Sequence, residues 1–151
     1  MKKDSIFSET NCLMARKYPI NFHLGANSYK ILKESLKIKD TVHLNKQIIL
    51  SKSFEIIQDK FPSWNIISNE DMIEYEKRSK SSNFSFWEWL DSNCSNGYFY
   101  ISKPIFDETY SLAIVVYGST SGPLQGGGFA ELLQKVDGRW IHKEIITTWV
   151  S

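Results

Sequence analysis

Cysteine is scarce in this chain: Cys12 and Cys94 are all that 151 residues contain. Two thiols so far apart exclude the four-ligand spacings of structural zinc sites and the dense framework of a small disulfide-stapled fold. They leave two arrangements open, one disulfide or two separately buried thiols, and the redox compartment stays open with them. Long hydrophobic runs are also missing. No stretch approaches the length that crosses a bilayer, so a soluble protein is expected. The start, Met1-Lys2-Lys3-Asp4-Ser5-Ile6-Phe7, has basic residues but continues into Ser8, Glu9 and Thr10 rather than an apolar segment. As written, the chain is expected to be cytoplasmic, with export only if a signal segment has been removed. Nor does charge of one sign dominate, since 18 Lys and Arg stand against 17 Asp and Glu. The balance hides a gradient, basic over residues 1–60 and acidic over 61–110, but no dense basic cluster forms. Nucleic acid is therefore not expected as a partner, and neither is a membrane.

What the chain does have is apolar and aromatic material, 42% and 14% of its residues. A chain of this length can build a core without metal or a disulfide framework, and one domain is expected over 1–151. Residues 1–26 read as irregular and 27–95 as mainly helical. Asn27-Ser28 can cap a segment carrying Ile31, Leu32, Leu36 and Ile38. Leu44 to Phe61 is spaced closer to a helix than to a strand, although Ile48-Ile49-Leu50 could be a short strand. Asn69-Glu70-Asp71 supplies a cap and first-turn acids for Met72 to Arg78, and Asn83 caps a compact aromatic helix carrying Phe84, Phe86, Trp87, Trp89 and Leu90. After Gly97 the pattern turns to strands at 98–106, 110–117, 129–136 and 140–150. The fold class predicted is thus α+β, with N-terminal helices packed on a C-terminal four-stranded antiparallel β-meander. Asp137-Gly138 matches a type I′ turn between its last two strands.

Five of the eight glycines fall between Gly118 and Gly128. So much glycine calls for positive φ or for close approach of backbone to something else, and the reading is a long loop over the sheet or a wide bulged turn. It is not a phosphate loop, because no lysine follows Gly127 and the segment leads into a strand. Nor is it a dinucleotide fingerprint, since Glu131 stands where the last glycine should be. Catalytic constellations are thin. His23, His43 and His142 lie in unrelated segments, so neither a metal nor any other cofactor is expected. A strand could aim His142, Trp140 and Glu144 at one face, which makes His142 with Glu144 or Glu88 the candidate acid–base pair. Glu88 and Asp91, three apart on the aromatic helix, more simply face water. No nucleophile elbow occurs, and the aromatics Phe84, Trp87, Trp89, Tyr98, Tyr100 and Tyr117 could line a ligand cavity but read more simply as core.

From Phe84 to Ser151 the chain resembles a group of small proteins common in Bacteroidetes-type bacteria. The resemblance rests on Phe86-Trp87-Glu88-Trp89-Leu90, on Ile101-Ser102-Lys103-Pro104-Ile105-Phe106, on Gly122-Pro123-Leu124-Gln125-Gly126-Gly127-Gly128, and on Asp137-Gly138-Arg139-Trp140 with Trp149-Val150-Ser151. That group often carries two cysteines in the glycine segment, where Ser121 and Gln125 stand here, so the resemblance implies that a paired or metal-binding loop is lost. Its members have no established activity to carry over. A weaker resemblance, through Asp137 to Trp140, is to NTF2-like domains, which implies a cone of helices and curved sheet holding a pocket or a binding surface. The expected function is a non-catalytic binding or interaction protein, its partner another protein or a second copy of itself. Its contact residues are expected at Ser119, Thr120, Gln125, Gly126, Gly127, Gly128 and Phe129. The alternative is a pocket protein that binds or transforms a small molecule.

Overall fold

The computed structural model describes residues 10–15, 20, 24–82 and 85–151. Helices α1 (Ser28–Ser35), α2 (Thr41–Ser51), α3 (Asn69–Ser81) and α4 (Phe86–Asn93) precede or interleave with strands β1 (Cys12–Met14), β2 (Asn65–Ile67), β3 (Tyr98–Ile101), β4 (Ile105–Phe106), β5 (Leu112–Gly122), β6 (Gln125–Val136) and β7 (Arg139–Val150). The strands form one sheet ordered β2-β1-β3-β5-β6-β7, with β4 also paired to β5. The α+β class holds. The four-stranded antiparallel meander does not: the sheet is seven-stranded and mixed, because β1 pairs in parallel with both β2 and β3. The expected strand at 98–106 is divided into β3 and β4, and the two strands that were not expected, β1 and β2, are three residues long, too short to show a period, in stretches that read as irregular and as helical.

The glycine segment is the second correction. It is not a long loop: β5 runs through Gly122 and β6 starts at Gln125, leaving only Pro123 and Leu124 as the turn. Nor do Gly126, Gly127 and Gly128 sit at positive φ; the glycines that do are Gly25, Gly97 and Gly138. Their reason is close approach. Tyr100, Gly118, Gly128 and Trp149 are successive register partners across β3, β5, β6 and β7. The Trp149 indole N–H donates to the Tyr100 hydroxyl at 3.1 Å, so two aromatic side chains meet over two glycines. A Cβ on Gly118 would lie 2.5 Å from the Tyr100 hydroxyl, and one on Gly128 2.5 Å from the Trp149 ring. Glycine here makes room for aromatics lying against the sheet.

Alternation sets which residues reach the core. Leu112, Ile114 and Val116 of β5, with Ala130 and Leu132 of β6, pack against Leu32 of α1 and Leu44 of α2. Beside them Met14, Tyr98 and Tyr100 pack on Trp89 and Leu90 of α4, and Trp149 touches both groups. The opposite face of the sheet buries Leu13 and Ala15 under Ile56, with Phe54, Phe61 and Trp64 packed alongside. A disulfide joins Cys12 of β1 to Cys94 at the end of α4, deciding between the two arrangements left open by the sequence.

Local signals explain the helix ends. Asp40 caps α2 by accepting from the Val42 N–H at 2.9 Å, and α2 ends at Ser51, well before Phe61. Ser68 and Asp71 form a capping box on α3, so the cap is one residue earlier than expected and the helix runs beyond Arg78 to Ser81. Ser85 and Glu88 form another on α4; Asn83 and Phe84 lie outside the described residues. Bonds from Ser85 hold the exposed Glu88 carboxyl below its usual range. The hairpin joining β4 and β5 is tied by Asp107, which accepts from the Ser111 and Leu112 N–H groups and the Thr109 and Ser111 hydroxyls. Burial alone would raise its carboxyl, but these donors outweigh burial and hold it low. Asp137 and Gly138 both take positive φ in the β6–β7 turn.

Candidate functional site

On the face of the sheet opposite Gly118, three polar side chains from three strands meet. Tyr117 pairs with Phe129, Glu131 with Val115 and Ile145, and His142 with Leu133, so Glu131 lies diagonal to both Tyr117 and His142. His142 Nδ1 is 2.6 Å from one Glu131 carboxylate oxygen, and the Tyr117 hydroxyl donates to the other. The Glu131 side chain is only 11% exposed, that of His142 56%. Burial first, then the hydrogen bond and charge of Glu131, push the Tyr117 phenol well above its usual range. The Glu131 carboxylate at Nδ1 holds the exposed imidazole in one orientation, with its other edge toward solvent.

Raising that phenol has a consequence at alkaline pH. In the unfolded chain the tyrosine ionises near pH 10, whereas the folded protein keeps it protonated higher. Stability is thus expected to fall as pH rises above about 10. Phenolate absorbance should show at least one of the seven tyrosines titrating only with unfolding, and Tyr117→Phe should reduce that phase by one tyrosine. A Tyr117 that titrates with the exposed tyrosines would rule the prediction out.

Trp140 shares the His142 face, as its register partner Lys135 is two residues from Leu133, and the Lys135 ammonium sits 5.8 Å from the Trp140 ring centre. Glu144 does not. The register shifts by one at Lys143, pairing Glu144 with Leu132 and turning it to the other face. Glu88 is farther still, on α4 across the sheet. The expected His142–Glu144 and His142–Glu88 pairs are therefore not assembled, and Glu131 takes their place. His43 instead lies 3.1 Å from the Phe106 carbonyl; His23 lies outside the described residues. Among the described residues no group of three His, Cys, Asp or Glu side chains could hold a metal ion.

The glycine-segment residues are divided between the two faces of the sheet and the β5–β6 turn. Ser119 and Phe129 alternate onto the Tyr117 face, where Ser119 is buried and Phe129 meets Tyr117 edge to face, 4.2 Å between ring centres. Thr120 falls on the other face and bonds the Gly122 and Gln125 carbonyls. Gly127 and Gly128 are buried within β6, Gly126 is partly buried, and Gln125 is exposed at the turn. Gln125 does border a groove of about 400 Å³ between that turn and Trp87 and Asp91 of α4.

A second groove, of about 300 Å³, lies at the far edge of the sheet. Asn65 and Ile67 of β2, Asp71, Glu74 and Arg78 of α3, and Trp89 and Asn93 of α4 line it. Of these, only Trp89 was considered from the sequence, as an aromatic that could line a ligand cavity but reads more simply as core. The available signal was the spacing of Asp71, Glu74 and Arg78, which puts them on one helical stripe, and only the tertiary fold sets Asn65 and Asn93 opposite. Comparison with protein families, with curated proteins and with solved structures found no match for this chain.

Proposed function

We propose that the protein is a non-catalytic interaction protein that docks through the outer face of β7, and that the occupant of that face is a second copy of the chain. The observation that carries the reading is a run of large apolar side chains left in water along one edge strand: Trp140 is 38% exposed, Ile141 47% and Ile145 44%. Trp140 and Ile145 share the Tyr117 face with His142, whose imidazole Glu131 holds in place. Aromatic and branched anchors beside a pre-ordered polar group are what interface centres are made of. Docking is by the face and not by the edge, because the two register irregularities of β7, with Lys143 in one of them, spoil the regular ladder another strand would need. A flat patch that carries both anchors and a hydrogen-bonding group can meet its own copy across a two-fold axis.

Small-molecule chemistry at His142 is the weaker alternative, since neither groove described above is lined by that residue. The kinship with the Bacteroidetes-type group belongs to the same proposal. No helix among the described residues is long and apolar enough to cross a membrane. The Cys12–Cys94 disulfide supports residence in an oxidising compartment over the cytoplasm.

Sedimentation equilibrium tests the reading. The wild-type protein is expected to dimerise, and Trp140→Ser to weaken the dimer by about 30-fold, the effect of losing roughly 2 kcal/mol at an interface anchor. A wild-type protein that stays monomeric at every concentration, or a dimer indifferent to Trp140→Ser and Ile145→Ser, would overturn it.

A further inference from the structure

The groove between β2, α3 and α4 is independent of the β7 face, and its chemistry is specific. Asp71, Glu74 and Arg78 stand on one stripe of α3, with Asn65 and Asn93 across from them and Ile67 and Trp89 as apolar wall. The hydrogen bonds already made at these groups show what is left to offer. Asp71 uses one carboxylate oxygen to accept from the Ser68 N–H and hydroxyl. Glu74 uses one for a 2.7 Å bond from Arg78. Asn65 and Asn93 each direct the amide nitrogen elsewhere, Asn65 toward the disulfide sulfurs and Asn93 to the Trp89 carbonyl. Among the described residues, one oxygen of each of these four side chains accepts no bond, and the guanidinium has N–H groups to spare.

The groove therefore presents acceptor oxygens in excess, two carboxylates against one guanidinium, and a single cation that can still donate. An ammonium group satisfies the first set and a carboxylate the second, the latter by the paired donors that make arginine the usual partner of that group. Asp71 and Arg78 start about 10 Å apart along the helix, seven residues at 1.5 Å each, and both line the groove, so a molecule of only a few bonds can reach from one side chain to the other. The volume of about 300 Å³ sits at the lower end for small-ligand sites. We infer that this groove is a binding site for a small zwitterion of the amino-acid class, its ammonium among the oxygens of Asp71, Glu74, Asn65 and Asn93 and its carboxylate on Arg78.

The test is an NMR titration of the full chain, reading the side-chain amide signals of Asn65 and Asn93, against free amino acids of increasing side-chain size, the ω-amino acid 6-aminohexanoate, and the singly charged analogues n-butylamine and butyrate. Expected are saturable shifts at both asparagines with at least one zwitterion, weakened about tenfold by Arg78→Gln, the loss of one charge-assisted contact. Arg78 and Glu74 are exposed, so Arg78→Gln and Glu74→Gln should leave the fold intact, which circular dichroism checks. Butylamine binding that equals the best zwitterion and ignores Arg78→Gln would make this an amine site and overturn the assignment. No response at either asparagine to any of the set would overturn it as well, and neither result touches the dimer proposed above.

Discussion

Gly128→Ala is expected to destabilise the protein by about 3 kcal/mol, the upper end of ordinary overpacking, and to lower the unfolding midpoint by roughly 6–12 °C for a chain of this size. The added methyl would stand 2.5 Å from the Trp149 ring and 2.5 Å from the Tyr117 carbonyl. Trp149 cannot simply move aside, because its N–H is bonded to Tyr100 and its ring bridges the two halves of the helix-side core. The Tyr117 carbonyl belongs to the β5 backbone and cannot move without disturbing the sheet. Gly126→Ala is the internal control: the nearest atoms its Cβ would meet belong to the Ser151 and Thr120 side chains, at 3.0–3.1 Å, with no backbone atom among them. Scanning calorimetry should thus rank Gly128→Ala far below Gly126→Ala. Equal midpoints would mean that the glycines serve something other than aromatic packing.

Removing the disulfide is the other large effect. Cys12 and Cys94 are separated by 82 positions in sequence, and a cross-link closing so long a loop restricts the unfolded chain by an amount worth about 4–5 kcal/mol in the chain-entropy model. The pair Cys12→Ser with Cys94→Ser should lose most of that, and the loss should exceed what either serine explains by burial of its hydroxyl. The effect should centre on β1 and β2, since the short β1 pairs in parallel with β2 on one side, meets β3 only at Leu13 opposite Phe99 on the other, and is tied to α4 by this bond. Hydrogen exchange should therefore quicken first at Cys12–Met14 and Asn65–Ile67. Chemical denaturation of oxidised and reduced wild-type protein gives the same comparison without mutation. Coincident curves would show that the link does not constrain the unfolded chain.

The helices were legible where a short polar residue stands before an amphipathic run, although the caps read at Asn69 and Asn83 fall at Ser68 and Ser85 because Ser, Asn and Asp crowd those boundaries, and the Asp40 cap of α2 was not read at all. The long strands were legible from their β-branched and aromatic content. The parallel strands were not, because a three-residue segment earns its place in a sheet from its neighbours and not from its own pattern. The relay of Tyr117, Glu131 and His142 was half visible. His142 drew notice as a strand histidine, but its partner depends on register, and register carried past a bulge is not written locally.

The hairpin shows the division of labour most clearly. Asp137 and Gly138, as the only turn their φ values fit, set Val136 against Arg139 and so Leu133 against His142. That much the sequence by itself determined, because a two-residue turn of this type admits one pairing. Counting on without interruption would bring Glu131 opposite Glu144, two carboxylates face to face, and Trp149 opposite Gly126. The fold instead shifts register between His142 and Glu144 and again between Ile145 and Thr147. Those shifts keep the two acids apart, leave Glu131 to His142 and Tyr117, and bring Trp149 over Gly128. Only the tertiary structure could decide them, since the energy that favours them comes from Tyr100, Trp149 and the core beneath, residues distant in the chain that meet only once the sheet has formed.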